Sequence, residues 1–168
     1  MKKYTLASLF FIAFVLILGG SASAKEAIDA IKANVKKRTE QVQKEVPSIS
    51  VQDFKKMLDE GQVFAEIIDV RGADEYAAGH LADAINIPRG KAEWVVPKKI
   101  TDPGQKIYVY CKTGARGAHV VKMLKEIGYK DVTNVKGGFK AWASAGYPFY
   151  NMHGENVIVK DGFGKTPE

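Results

Sequence analysis

The sequence predicts an α/β fold in which helices cover a parallel β-sheet. Between residues 48 and 148, short β-branched and aromatic runs alternate with segments of helical periodicity, the pattern of successive βα units. The composition is globular, with 46% hydrophobic and 26% charged residues among 168. The single cysteine excludes an internal disulfide and a cluster of cysteine metal ligands.

Residues 1–24 have the features of a signal peptide. Lys2 and Lys3 precede an uncharged run of 13 residues, and three small residues lead to a cleavage site after Ala24. A membrane-spanning helix needs about 20 apolar residues, so this run is short for a permanent anchor. We expect an exported, periplasmic protein without stable membrane insertion after cleavage; the alternative is a retained N-terminal anchor.

The positive charge is unevenly distributed along the chain. Of the formal net charge of +6, Lys2 and Lys3 supply +2, and residues 25–46 supply +2 from six basic and four acidic side chains. Residues 47–168 carry seventeen basic and fifteen acidic side chains, so the predicted domain is nearly neutral. Since no basic stripe or nucleic-acid motif is present, we exclude a nucleic-acid-binding function.

Residues 25–46 are predicted to form one amphipathic helix that ends at Pro47. Apolar residues recur at steps of three or four, or their multiples, between charged residues: Ile28, Ile31, Val35, Val42 and Val46. Because the apolar stripe is narrow, we expect a docking or spacer helix. This extension favours contact with a protein partner or with a second copy of the chain.

The elements of residues 48–148, which we take as the domain, follow in order. Ser50 and Asp53 resemble a capping box that opens a short helix. The predicted elements are a helix over 51–58, a strand over 65–70, a helical turn over 73–78, a strand over 84–87, a turn at 102–104, a buried strand over 106–110, a helix over 117–127 with Gly128 as its cap, a strand over 131–135 and a helix around Trp142. The tail, residues 149–168, is expected to form a strand at 157–159 or to pack on the surface.

Cys111 lies where ligands bind in an open α/β sheet, at the carboxyl end of a strand. The loop from Cys111 to Arg116 leads into a helix, and its backbone N–H groups can form an anion-binding nest. Lys112 and Arg116 add two positive charges. These features stabilise a thiolate and attract an anionic substrate, which favours a nucleophile over a small buried cysteine of structural role.

Several motifs in this order resemble a rhodanese domain, the thiosulfate sulfurtransferase fold. They are Ile68-Asp69-Val70-Arg71, Glu75-Tyr76-xx-Gly79-His80-Leu81, Ala84-Ile85-Asn86-Ile87-Pro88, Tyr110-Cys111-xx-Gly114-x-Arg116, Gly128-Tyr129, Gly137-Gly138-Phe139-xx-Trp142 and Gly146-Tyr147-Pro148. Each motif alone is weak, whereas their agreement over about 100 residues is a specific signal. The N-terminal helix and the tail lie outside the resemblance.

The resemblance implies a three-layer α/β/α sandwich with a five-stranded parallel sheet. It also implies that Cys111 accepts a sulfane sulfur from a donor such as thiosulfate, holds it as a persulfide and passes it to cyanide or a thiol. The loop residues Lys112, Thr113, Gly114, Ala115 and Arg116 would bind the persulfide and the donor. The resemblance implies no metal and no organic cofactor.

Two alternatives remain open. The first is a persulfide carrier or partner-binding module that turns over free thiosulfate poorly. The second is a phosphatase or arsenate reductase of related fold, which uses Cys-x5-Arg where this chain has the tighter Cys-x4-Arg.

One departure from the resemblance concerns Gly117, because related domains often carry Ser or Thr there to contact the persulfide.

Other polar and aromatic residues receive mainly structural interpretations. Asp69 and Arg71 are expected to form a pair that supports neighbouring loops, or to support the cysteine loop with Arg71 steering the donor. We expect a hydrogen-bonded structural imidazole at His80 and a solvated one at His119. Trp94 is expected in a packed loop, with the rim of the site as the alternative, and Trp142 is expected in the core.

Overall fold

The computed structural model describes residues 6–61 and 65–158, with side chains described from residue 23 onward. Lys2 and Lys3 of the predicted leader lie outside these residues. Within the described part of the chain, no helix combines the length and apolar character required to cross a membrane. The chain divides into two compact units, Met1–Arg38 and Thr39–Glu168.

Helix α1, Leu6–Glu45, passes through the first unit and ends in the second. It confirms the helix expected over residues 25–46, although it begins further upstream. In the first unit, the side chains from Ser23 to Arg38 are exposed. The apolar stripe is therefore exposed there, and the exposed fractions of Ile28, Ile31 and Val35 are 50%, 56% and 61%.

The end of α1 belongs to the second unit and enters its core. Val42 and Val46 are 5% and 8% exposed. The hydroxyl of Thr39 lies 3.5 Å from Nε2 of His119, so the expectation that His119 is solvated was wrong. Sequence reasoning missed this contact because the two residues are 80 positions apart.

The second unit is built on a five-stranded parallel sheet, as the sequence predicts. The strands are β1 Ser48–Ser50, β2 Glu66–Asp69, β3 Ile85–Asn86, β4 Ile107–Tyr110 and β5 Val132–Lys136. Their order is β1-β5-β4-β2-β3, and each neighbouring pair is parallel. All four residues of β4, the central strand, are buried.

Helices cover both faces of this sheet and complete the three layers. They are α2 Val51–Asp59, α3 Ala73–Ala78, α4 Ala92–Lys99, α5 Ala115–Glu126 and α6 Gly138–Ser144. One apolar cluster contains Val109 of β4 with residues of α4, α5 and the end of α1. The other contains Tyr108 and Tyr110 with Phe54 of α2 and Trp142 of α6. Alternate residues of β4 thus contribute to opposite faces.

The N-terminus of α2 is capped by Ser50 and Asp53, as the sequence predicts. The Ser50 hydroxyl accepts a hydrogen bond from the Asp53 backbone N–H at 3.0 Å and donates to Asp53 Oδ2 at 2.6 Å. These bonds satisfy a backbone donor that the first turn of a helix leaves unpaired.

Two predicted elements differ from the structure. Residues 92–99 form α4 with Pro97 inside it, where the sequence predicted a packed loop, and Trp94 is 67% exposed on this helix. In the tail, β6 Phe149–Asn151 and β7 Gly154–Asn156 form an antiparallel hairpin. Of the two alternatives for residues 157–159, the strand is wrong for Val157 and Ile158, which are exposed and lie outside any strand; residue 159 lies outside the described residues.

Candidate active site

Cys111 is the first residue after β4, and its exposed fraction is 1%. The loop turns back at once, since Gly114 adopts a left-handed conformation with φ of 89° and precedes α5. The backbone N–H of Gly114 donates a hydrogen bond to Sγ of Cys111 at 3.2 Å. A donor aimed at sulfur stabilises negative charge on that atom.

The cysteine loop is held by the turn that begins α6. The backbone N–H groups of Phe139 and Lys140 donate to the carbonyl oxygens of Cys111 and Lys112 at 2.8 and 2.9 Å. Gly138 lies so close that a Cβ built on it would be 2.2 Å from the Cys111 carbonyl oxygen. The sequence showed the paired glycines 137 and 138 but did not indicate that they support this loop.

Arg116, on the first turn of α5, forms a bidentate ion pair with Glu75 of α3. Nη1 and Nη2 lie 2.7 and 2.8 Å from the two carboxylate oxygens. The hydrogen bonds from Arg116 are the main cause that lowers the pKa of Glu75 to about 2. The pKa of Arg116 is raised, chiefly by its bonds to Glu75 against the opposing effect of burial, with a further contribution from Cys111.

Glu75 is the site residue that sequence reasoning missed. It was quoted only as part of a motif, because its partner Arg116 is 41 positions away. Its carboxylate also accepts a hydrogen bond from the backbone N–H of Gly72 at 3.1 Å, at the start of α3. The carboxylate is thereby fixed in place before any ligand binds.

Asp69 and Arg71 form a buried ion pair at the carboxyl end of β2, with exposed fractions of 0% and 3%. Nη2 of Arg71 donates to Asp69 Oδ2 at 2.6 Å and to the Gly79 carbonyl at 2.5 Å. Burial is the largest single influence and lowers the pKa of Arg71, but the hydrogen bonds and the negative charge of Asp69, with a smaller contribution from Tyr110, together raise it. This geometry is that of the expected structural pair, which ties β2 to the end of α3.

The remaining loop residues differ in exposure. Lys112 and Thr113 are exposed, Ala115 is half-buried and Gly114 is buried. Gly117, where a hydroxyl was expected from the resemblance, has no room for one: a Cβ there would lie 2.5 Å from Oδ1 of Asn134. Packing against β5 therefore accounts for this glycine.

A pocket of about 370 Å³ lies beside the cysteine loop. Its lining includes Lys112 of the loop, Arg71 and Glu75, together with Phe139 and Lys140 of α6. Among the residues that the structure describes, no three His, Cys, Asp or Glu side chains form a group suited to a metal ion.

His80 and Trp142 test two of the structural interpretations. The imidazole of His80 stacks on Tyr76 at 3.9 Å between ring centroids, and its Nδ1 lies 3.0 Å from the Tyr76 carbonyl oxygen. His80 is thus a hydrogen-bonded structural imidazole, as expected. Trp142 is 3% exposed and lies in the core, also as expected.

The fold is an α/β domain with a five-stranded parallel sheet. Its candidate nucleophile, Cys111, lies in the loop between the central strand β4 and helix α5. The sequence profile of the Rhodanese-like domain matches residues 50–145. Because this match covers more than half of the chain, the protein belongs to the rhodanese-like domain family.

Two relatives of known sequence illustrate the similarity. Thiosulfate sulfurtransferase 18 of Arabidopsis thaliana is 33% identical over 116 residues, which cover 62% of this chain and 83% of the relative. The proposed sulfur carrier protein YrkF of Bacillus subtilis (strain 168) is 31% identical over 99 residues, 58% of this chain and 51% of YrkF. This chain therefore spans about half the length of YrkF.

The crystal structure of a thiosulfate sulfurtransferase from Pseudomonas aeruginosa matches with a TM-score of 0.63 and 23% identity. The match covers 74% of this chain and 25% of that chain. It shows a shared fold.

Proposed function

We propose that this protein is a sulfurtransferase that carries sulfane sulfur on Cys111. The observation that carries the proposal is the hydrogen bond of 3.2 Å from the Gly114 N–H to Sγ of Cys111, in a loop that leads into α5. The rhodanese-like family and the names of two relatives support sulfur transfer in general. Thiosulfate as the donor, with cyanide or a thiol as the acceptor, is the specific reaction proposed.

The first half-reaction loads the cysteine. The Cys111 thiolate attacks the outer sulfur of thiosulfate, the new bond from Sγ to that sulfur forms, and sulfite leaves with the electrons of the broken S–S bond. A thiolate stabilised by a backbone donor can act first as a nucleophile and later as a leaving group. The positive charge of Arg116, which interacts with Cys111, supports this step, although the ion pair with Glu75 already neutralises part of that charge.

The second half-reaction discharges the persulfide. The acceptor, a cyanide carbon or a thiolate, attacks the outer sulfur, and the bond from that sulfur to Sγ breaks. Cys111 leaves as a thiolate and the acceptor leaves as thiocyanate or as a persulfide. The N–H of Gly114 stabilises the returning negative charge on Sγ.

A steady-state assay with thiosulfate and cyanide tests the proposal. We expect thiocyanate formation by the unaltered chain and none by Cys111→Ser, because Cys111 is the one cysteine of the sequence. A Thr101→Ser variant, altered at an exposed position outside the cysteine loop, is the control. Thiocyanate formation that survives in Cys111→Ser would contradict the assignment.

A persulfide carrier that delivers sulfur to a protein or a second copy is the second candidate. The exposed apolar residues Ile28, Ile31 and Val35 of α1 favour it, since they offer a surface for such a contact. The carrier function predicts that thiosulfate loads Cys111 once but that small acceptors discharge it slowly. Rapid turnover with cyanide or a small dithiol would exclude the carrier function.

The leader supports export as a further part of the proposal. We propose cleavage after Ala24 and a periplasmic location, on the pattern of Lys2, Lys3 and the apolar run that follows. The mass of the protein recovered from expressing cells tests this directly. Lys25 at the N-terminus is the expected result, and a mature species that retains residues 6–18 would indicate an anchored protein.

A further inference from the structure

The part of α1 that lies in the first unit is exposed over residues 23–38. Three of these side chains are large and apolar: Ile28, Ile31 and Val35 are 50%, 56% and 61% exposed. Because an α-helix has about 3.6 residues per turn, the three positions lie within about 60° of arc on one face of the helix. We call this face the apolar stripe.

Basic side chains border the apolar stripe on both sides. Lys32 lies one turn beyond Ile28, and Arg38 lies three residues beyond Val35, so each is a neighbour of the stripe on the helix surface. The stems of Lys and Arg can lie along apolar surface while the charge stays at a polar boundary. Lys32 also pairs with Asp29 at 3.1 Å, but the two side chains are 72% and 56% exposed, and such pairs are weak.

The charge of the whole segment is positive. Residues 25–38 contain five basic and two acidic side chains, a net charge of +3. One of the two acidic residues, Glu26, lies on the face opposite the apolar stripe. An apolar stripe with cations along its border, on a helix of positive net charge, is typical of helices that lie at the surface of a membrane containing anionic lipids.

A second copy of the chain fits the apolar stripe less well. A two-stranded coiled coil requires apolar residues at alternating steps of three and four over at least three heptads. Ile28, Ile31 and Val35 follow this repeat, but its next position is Arg38. Two such helices, each with a net charge of +3 over residues 25–38, would also repel each other. The charge favours an anionic partner.

We propose that residues 25–38 of α1 bind the surface of an anionic phospholipid membrane. The apolar stripe enters the boundary between headgroups and acyl chains, and Lys32 and Arg38 lie at the phosphate groups. The segment lies on the membrane without crossing it, and it holds the protein at the membrane surface. The proposal is independent of the sulfur transfer proposed above, because none of these residues belongs to the candidate active site.

A fluorescent label tests whether the apolar stripe enters the lipid. Ile31→Cys is made in the full chain together with Cys111→Ser, so that the one thiol carries the uncharged dye nitrobenzoxadiazole, whose emission shifts to the blue in apolar surroundings. We expect a blue shift with vesicles of phosphatidylglycerol and phosphatidylcholine, and a much smaller one with phosphatidylcholine alone. Ala33→Cys, at an exposed position on the opposite face, is the matched control. No shift at position 31, or an equal shift at position 33, would overturn the proposal.

Co-sedimentation with the same vesicles tests the charge, on chains that retain Cys111 and share one N-terminus. Arg38→Gln and Lys37→Gln each remove one positive charge from adjacent exposed positions. Lys37 lies on the far face, about 10 Å further from the lipid, which is about one Debye length at 0.1 M salt. Arg38→Gln should therefore require about fivefold more lipid for half-maximal binding, and Lys37→Gln less than about twofold. Equal effects of the two substitutions would overturn the proposed orientation.

Contact between copies of the chain gives a different result. In sedimentation velocity without vesicles, we expect the mass of the unaltered chain to be independent of protein concentration. A mass that rises with concentration, and no longer rises in Ile31→Lys, would identify the apolar stripe as an interface between copies and overturn the membrane proposal. The thiosulfate test on Cys111 involves no vesicles, so failure of the membrane proposal leaves the sulfurtransferase function standing.

Discussion

At the scale of single residues, Arg116 interacts with two side chains: it forms a bidentate ion pair with the carboxylate of Glu75 and also interacts with Cys111. Its bidentate bonds to Glu75 are 2.7 and 2.8 Å long, so a dianionic donor of the kind we propose would share this guanidinium with Glu75. The sequence predicted Cys111, its loop and the cations, because all of them lie within six consecutive residues. It did not predict the carboxylate of Glu75, because a pair across 41 positions leaves no local pattern.

Replacement of Arg116 by alanine is expected to impair donor use more than acceptor attack. A charge-assisted contact contributes about 1.5–3 kcal/mol, and partial exposure with competition from Glu75 favours the low end, about a tenfold loss in kcat/KM for thiosulfate. Arg116→Lys should recover part of the loss, since an ammonium lacks the planar fork. Steady-state kinetics with varied thiosulfate measure the effect.

A control is needed because Arg116→Ala also leaves Glu75 unpaired, which would repel the donor. The double variant Glu75→Gln with Arg116→Ala removes that repulsion. A persistent loss in the double variant supports a direct contact between Arg116 and the donor. Full recovery of kcat/KM there would contradict that contact.

The ion pair also predicts a pH dependence of stability. The pKa of Glu75 is about 2 in the folded protein against a model value of 4.5, so its contribution is fully present above about pH 4.5 and is lost as the pH falls through about 2. Because the two side chains are 34% and 30% exposed, we expect a contribution of about 1 kcal/mol to the free energy of unfolding. Denaturant unfolding of the unaltered chain and of Glu75→Gln should differ at pH 7 and converge toward pH 2.

The exposed neighbour Asp74, on the same helix, is the matched control for this measurement. Asp74→Asn should leave the pH profile of the unfolding free energy unchanged. A difference between the unaltered chain and Glu75→Gln that stays constant from pH 7 to pH 2 would refute the assignment.

At the scale of elements, the start of α6 supports the cysteine loop through two backbone hydrogen bonds. Strand β4 was predictable because its four residues are β-branched or aromatic and all are buried. Strand β1 was missed, since Ser48–Ser50 has only three residues and takes its place from parallel pairing with β5. Helix α4 was missed because the segment around Trp94 was interpreted as a packed loop; the structure places Pro97, a residue that disfavours helix interiors, inside this helix.

Gly138→Ala is expected to displace the cysteine loop. Its φ of 56° lies in the left-handed region, and a Cβ would be 2.2 Å from the Cys111 carbonyl oxygen, so the backbone must shift. Strain of this kind costs about 1–3 kcal/mol, and we expect a lower Tm together with slower persulfide formation. Gly90→Ala is the control, since nothing lies within 4 Å of a Cβ there; persulfide formation at the normal rate in Gly138→Ala would contradict the proposed support.

At the scale of the whole molecule, the alternation of strands and helices in the sequence predicted the layers of the Thr39–Glu168 unit. It did not predict how the segments at the two ends of this unit, the end of α1 and the C-terminal hairpin, are arranged. The end of α1 joins the core through Val42 and Val46, a long-range contact that helical periodicity cannot assign to a partner. The hairpin of the tail depends on a turn in which the Asn151 side chain accepts from the His153 N–H at 2.8 Å and Gly154 has a φ of 100°. Such turn chemistry was overlooked in the sequence.

The docking of α1 predicts unequal effects of two similar substitutions. Val42→Ala, at a position 5% exposed, should lower the free energy of unfolding by about 2 kcal/mol, the scale of burying a valine side chain. Val35→Ala, at a position 61% exposed on the same helix, should change it by less than about 0.5 kcal/mol. Denaturant unfolding of both variants is the measurement, and equal effects would mean that the end of α1 does not belong to the core.

The central claim is that Cys111 carries sulfur as a covalent intermediate. The most direct test is the intact mass of the full chain after exposure to thiosulfate and removal of excess reagent, followed by peptide mapping. We predict the gain of one sulfur atom, located on Cys111, released by cyanide and absent in Cys111→Ser. An unchanged mass in the correctly folded, reduced protein would contradict the account.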